Sequence, residues 1–248
     1  MVPVLDLIAL LWFLVCWVGY GEYSRRRADV RPCLSNTLDL YRQDWMRSML
    51  TRENRIADAS VVGNLERNGA FFASSCLLIL AGLFTAMGYT REIMEVFGTM
   101  PFGGSGDTLV WEMRLFVLML VFVYAFFKFT WSMRMYNFAA VMIGGAPLSD
   151  DSKVSPAAKE AFAQSSASVC NLAGDAFNLG LRSYYYALGL VTWFVHPVLF
   201  ILASSFVVFV LYRREFQSDA LLALRSGKVF KEPEAKKVGD NNVSEGSH

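Results

Sequence analysis

Long apolar runs separated by charged blocks set the layout of this chain. Met1–Gly21 carries one charge, Asp6, and Ala70–Thr90 carries none. The stretch Thr108–Pro147 turns apolar after Glu112 and Arg114, and Ser183–Tyr212 is uncharged when His196 is neutral. A helix of about 20 apolar residues has the length needed to cross a bilayer core. The pattern therefore predicts an all-α integral membrane helical bundle with about four transmembrane helices plus amphipathic cytoplasmic helices. The spans fall at about 3–21, 70–90, 109–133 and 184–212, within a single transmembrane domain over residues 1–231. The composition of residues 232–248 is that of a disordered tail.

The polar blocks have their own periodicity. Between Ser35 and Arg67, Leu38, Tyr41, Trp45, Met46, Met49 and Leu50 recur at helical spacing among arginines. This predicts one or two amphipathic helices, on the inner membrane surface or against the bundle, with Ser35 or Asn36 as the cap. Arg91–Asp107, with Pro101, Gly103, Gly104 and Gly106, reads as a tight outer connection. Gly144, Gly145 and Pro147 stop the third helix, and Pro156 opens a helix of small residues suited to packing against other helices. Gly82 and Ala86 form a small-xxx-small pair. His196–Pro197 is the expected kink of the last span. Tyr184, Tyr185 and Tyr186 are expected at one interface and Tyr212 at the other.

Charge sets the threading. Arg25, Arg26, Arg27 and Arg31 follow the first apolar run directly, which predicts an outside N-terminus and a cytoplasmic first loop. No basic n-region or small-residue cleavage site marks a removable signal peptide. Asp6 then belongs near the outer headgroups. Four spans place the C-terminal tail outside, yet it carries Arg213, Arg214, Arg225, Lys228 and Lys231, against the positive-inside tendency. A re-entrant hairpin at His196–Pro197 would return it inside. Both threadings stay open.

Composition narrows the chemistry. Of 248 residues 54% are hydrophobic and 18% charged, and the net charge of +1 provides no global field to attract nucleic acid. Cys16, Cys33, Cys76 and Cys170 are far apart, and His196 and His248 are the only histidines. That inventory predicts no metal and no cofactor, and it excludes a haem held between two internal histidines. No nucleotide-binding, metalloprotease or serine-hydrolase motif occurs, so no enzymatic activity is expected.

Three segments in order carry a resemblance: Asn54–Ser75 (NRIADASVVGNLERNGAFFASS), Lys128–Asn137 (KFTWSMRMYN) and Val210–Phe216 (VLYRREF). They resemble the family catalogued as domain of unknown function 599, integral membrane proteins of bacteria and plants. The likeness extends to about Lys228. It implies a multi-span helical membrane protein, here of the bacterial inner membrane, and implies no activity or catalytic residue.

The candidate polar residues are Asp58, Lys128, Trp131, Arg134, Asn137 and His196. The four from Lys128 to Asn137 recur in steps of three and trace a slanted stripe on one helix. Three accounts fit them: snorkelling anchors at the inner headgroups, an ion pair of Arg134 with Asp58 or Glu66, or a polar pathway. Arg55, three residues before Asp58, competes locally for it. His196 either satisfies a carbonyl freed at the kink or relays protons, although no carboxylate lies in the second or fourth run. The functional expectation is a non-catalytic scaffold or accessory subunit of a membrane complex, with the lipid bilayer and a homo-oligomeric or membrane-protein partner. The alternative is a homo-oligomeric ion channel or small-solute transporter.

Overall fold

The computed structural model describes residues 3–28, 31–98 and 107–227, so the expected tail at 232–248 lies outside the described residues. Among the described residues the chain is helical throughout, without strands. The helices are α1 (Val4–Ala28), α2 (Leu34–Leu50), α3 (Ile56–Gly88), α4 (Thr90–Gly98), α5 (Thr108–Gly144), α6 (Pro156–Val191), α7 (Pro197–Phe216) and α8 (Asp219–Ser226). A 3-10 turn, Thr192–Phe194, joins α6 to α7.

Several helices begin where a side chain supplies a missing backbone partner. Asp107 accepts from the Leu109 N–H, Ser155 from Ala158 and Ser218 from Leu221, at 3.4, 3.2 and 3.2 Å. The cap of α2 is Cys33, whose Sγ accepts from the Asn36 N–H at 3.5 Å, and not Ser35 or Asn36. The Ser35 hydroxyl is drawn away to Asp175, at 3.2 Å.

Cross-helix contacts fix the directions. Phe72 of α3 stacks on Phe129 of α5, and Arg55 reaches the Ala146 carbonyl, so α3 and α5 are antiparallel. Ser132 donates to the Ala173 carbonyl, while Arg114 lies over the Trp193 ring, so α6 runs back along α5. Trp12 meets Ser205 and Tyr23 meets Tyr212, which makes α1 and α7 parallel. Five helical segments thus pass between an Asp6 end and an Arg25 end. Four helices are long and apolar enough to cross a membrane: α1, α3, α5 and the stretch Pro197–Ser226. The C-terminal part of α6 accompanies them.

The expected single helix over 184–212 is replaced by a hairpin. His196 is extended (φ −158°, ψ 136°), and Pro197 opens a new helix. Proline lacks the N–H that an unbroken helix would need and clashes with the preceding turn. The new helix folds back, bringing Arg214 to the Tyr185 hydroxyl and Arg182 within 3.5 Å of Glu215. Two expectations change with it. Arg213 and Arg214 lie at the end that carries Arg25–Arg27, which favours the hairpin over the single helix. The tyrosines do not straddle two interfaces: Tyr185 and Tyr212 share an end, while Tyr186 is buried and donates to the Cys16 carbonyl at 3.0 Å.

Two cores stack along the long helices. One holds Phe13, Cys76, Phe122, Phe129, Tyr186 and Trp193, between the Asp6 and Arg25 ends. The second holds Met46, Met49, Val62, Tyr136, Ile143 and Cys170, where α2 packs against α3, α5 and α6. At 1.5 Å per residue, the 37 residues of α5 reach about 55 Å, far beyond a hydrocarbon core of about 30 Å. The second core therefore projects past the first. The small residues of α6 make this possible: Ala163, Ala167, Cys170 and Ala173 are all buried there. Gly180 is a close-approach point, since a Cβ on it would stand 2.6 Å from the Phe129 ring. Gly82, by contrast, faces open space, while Ala86 packs against the first core, so the two do not act as a close-approach pair.

Candidate functional site

The stripe on α5 faces outward. Trp131 is 51% exposed, Arg134 and Asn137 are exposed, and Lys128 is half-buried. Three of them find a neighbour on or beside their own helix: Lys128 over the Tyr124 ring, Arg134 over Phe138, and Asn137 donating to Glu66 at 3.1 Å. The four lie within about two and a half turns, at the level where the second core begins. No route through the protomer passes along them. This geometry is that of interfacial anchors, with long apolar stems and exposed heads.

Asp58 does not pair with Arg134. It is 1% exposed at the start of α3, and Trp45 Nε1 donates to its Oδ1 at 2.7 Å. Arg52 forms the ion pair, and Arg55 donates to the Ala146 and Pro147 carbonyls at 2.7 and 2.6 Å. The partners of Asp58, Trp45 and Arg52, are thus local to its own segment, and it is Arg55 that ties this segment to the end of α5. Arg52 wins because the short loop from α2 into α3 delivers it beside the carboxylate, whereas Arg134 projects outward from α5.

A second polar centre, at the opposite end, holds a pair of opposite charges that are both buried. Asp6 is 3% exposed and Arg114 7%. Arg114 donates to Asp6 Oδ1 from Nη2 at 2.7 Å and from Nε at 3.2 Å, and Trp193 Nε1 donates to the same oxygen at 2.8 Å. The guanidinium also sits over the Trp193 ring, 5.6 Å from its centroid. Three elements, α1, α5 and the turn after α6, meet in this cluster. The sequence carried a signal for the pairing. Asp6 and Arg114 are opposite charges just inside two runs that begin on the same side.

A third polar group fills the Arg25 end, where α1, α2, α6 and α7 converge. Arg182 pairs with Glu215, donates to Ser24 at 3.3 Å and lies over the Tyr20 ring. Glu215 also accepts from the Ser35 N–H at 3.2 Å. Beside them is a cleft of about 300 Å³ lined by Cys33, Asp39, Asp175 and Asn178. Burial pushes the Asp39 carboxyl above its usual range, Arg42 opposes that rise and Asp175 adds to it. Arg42 donates to Asp39 at 2.8 Å and covers Gly174, where a Cβ would collide with the guanidinium. Composition alone did not single out Arg182 or Glu215, because the hairpin that joins them was unresolved.

His196 is a cap. Its exposed ring uses Nδ1 to accept from the Val198 N–H at 3.2 Å, so it serves a helix N-terminus and not a freed carbonyl. Among the described residues no carboxylate bonds to it, and the geometry lends nothing to a proton relay. Among the described residues, no group of three or more His, Cys, Asp or Glu side chains could hold a metal.

Outward-facing Leu11, Val18, Leu78, Phe84, Leu120, Leu202 and Phe206 leave broad apolar sides, while charges are paired inside or gathered beyond the apolar zone. This arrangement is that of a helical integral membrane protein. The chain belongs to the family described as proteins of unknown function, DUF599, whose model matches residues 8–220. Neither a curated protein nor a solved structure matches it.

Proposed function

We propose that the protein is a non-catalytic, multi-pass scaffold or accessory subunit of a membrane complex, seated in the bacterial inner membrane. The observation that carries this reading is the filled core. Trp17 stacks on Tyr186 at 5.4 Å, Phe72 on Phe129 at 5.2 Å and Trp193 on Phe200 at 4.8 Å. These rings occupy the layer that separates the Asp6 cluster from the Arg25 end. A protomer plugged in this way has no path for a solute, and conduction needs a hydrated or polar-lined route. Meanwhile the second core holds α2 and the N-terminal half of α6 beyond the apolar zone as a rigid platform, suited to a partner chain. Arg47 of α2 grips Glu160 of α6 at 2.6 Å, and that guanidinium holds the Glu160 carboxyl below its usual range.

Purification from native membranes in mild detergent, with identification of copurifying chains, tests the proposal. A stoichiometric partner of different sequence is expected. A symmetric homo-oligomer that passes ions in liposomes would favour the second reading, a homo-oligomeric channel or transporter. That reading draws on Lys128, Arg134 and Asn137, whose outward placement could line an axis between copies.

The hairpin supports a threading for this reading with the N-terminus outside, five passes, and α2 and α8 both cytoplasmic. It removes the conflict between Arg25–Arg27 and the basic C-terminal segment. In a variant lacking the four native cysteines, single cysteines at Ser48 and Ser226 should resist an impermeant thiol reagent in intact cells. One at Glu95 of α4 should react. Labelling of Ser226→Cys but not Ser48→Cys would restore the four-pass threading.

A further inference from the structure

We propose that the seam between α1 and α7 is a binding site for an anionic phospholipid, with an acyl chain along the seam and the phosphate at the α7–α8 elbow. The inference rests on the membrane reading above and adds a ligand to it. Trp12 donates to Ser205 at 3.0 Å and closes the seam at one level. From there a groove of about 550 Å³ opens outward, walled by Val15, Gly19, Tyr23, Val208 and Phe209. Trp12 to Tyr23 spans about 16 Å along α1, a length suited to much of an acyl chain. Gly19 forms the floor, with nothing within 4 Å of where a Cβ would stand.

The groove does not end in open water. Tyr212 lines both it and a second cavity of about 360 Å³, set between the loop after α1 and the elbow joining α7 to α8. Arg31 and Arg225 line this cavity, together with the polar Gln217 and Ser218. Tyr23, Tyr212 and Phe216 form the ring wall between the two, with centroids 6.3 and 5.2 Å apart in sequence. The order along the seam is therefore apolar channel, aromatic collar, then guanidinium groups. A phospholipid has the same order: chain, glycerol level, phosphate. Basic residues next to a membrane segment recruit anionic headgroups.

Charge selects this occupant over a second copy of the chain. Arg25, Arg26 and Arg27 also crowd this end, so two copies docked seam to seam would bring their basic ends together. An anionic lipid neutralises the same charge.

The test uses the full chain released from nanodiscs and weighed by native mass spectrometry. Phosphatidylglycerol and phosphatidylcholine of identical acyl chains serve as probes at equal mole fraction. Wild type should retain phosphatidylglycerol about tenfold more strongly. The double variant Arg31→Gln, Arg225→Gln should lose the preference and still bind either lipid weakly. Gly19→Trp should lose both lipids with unchanged thermal unfolding, and Phe209→Ala should weaken both without adding bulk. Equal retention of the two lipids by wild type would overturn the proposal. So would a Gly19→Trp protein that keeps its lipid, or one that changes from dimer to monomer, since a second copy would then be the occupant. Inorganic phosphate bound equally by wild type and Gly19→Trp would also reject the lipid assignment. Failure here with the expected cysteine labelling intact would leave the membrane threading standing.

Discussion

Arg114→Ala and Asp6→Ala are each expected to destabilise the protein by about 3–5 kcal/mol, the cost of stranding one member of a buried ion pair. Both side chains are nearly sealed, at 7% and 3% exposure, so solvent does little to screen the remaining charge. The loss differs on the two sides. Without Asp6, Arg114 keeps, among the described residues, the Trp193 ring, and the Trp193 N–H loses the oxygen to which it donates at 2.8 Å. Without Arg114, the carboxylate keeps one donor for a full negative charge at the edge of the apolar core. Removing both should cost much less than the sum of the single changes, because no charge is then left unpaired. Thermal unfolding of the four proteins in one detergent gives the coupling, expected to be at least about 2 kcal/mol. Simple additivity would show that the pair is not a unit.

Phe129→Ala is expected to cost about 3–5 kcal/mol, the range for deleting a buried aromatic side chain. Phe129 is fully buried and touches Phe72, Phe177 and Tyr184, with ring centroids 5.2 to 5.8 Å away. In a bilayer the loss comes from missing packing contacts more than from water, since lipid is itself apolar. Gly180→Ala should cost about 1–3 kcal/mol by overpacking, because its new methyl would press on the same ring. That ring cannot simply swing aside, being held by its three aromatic neighbours. The two changes should compensate: with Phe129 gone, Gly180→Ala should become nearly neutral or favourable. Unfolding temperatures of the single and double variants check this. An unaltered Gly180→Ala penalty in the Phe129→Ala background would mean that the clash lies elsewhere.

Much of the fold was legible from local pattern. Apolar runs of membrane length located α1, α3 and α5, because a helix in lipid must satisfy its own backbone and so carries its signature within one segment. Pro156 and the Gly144–Gly145 pair marked helix ends for equally local reasons. The three family segments led to the family that the match over residues 8–220 shows. The slanted stripe on α5 was also legible as a pattern. What it faces was not, since exposure depends on which helices pack alongside.

Tertiary structure decided the pairings. Arg134 was an open candidate for Asp58 by charge, and Arg52 took the place because the α2–α3 loop brings it there. His196–Pro197 read equally well as a kink or a reversal, and proline dictates only that the helix breaks, not how far the chain then turns. The reversal is held by contacts distant in sequence: Arg182 with Glu215, Trp12 with Ser205, Gly189 against Val207. The C-terminal part of α6 stayed hidden for a related reason. Its last turns read as one with the apolar run that continues to Tyr212, and its buried face, with Gly180, Ser183, Tyr186, Ala187 and Leu190, is defined only by the helices packed against it. The sequence by itself determined the helices, their class and their basic end. Only packing determined the fold-back at His196–Pro197, the Asp6–Arg114 pair and the α1–α7 seam, because each joins residues that no local period connects.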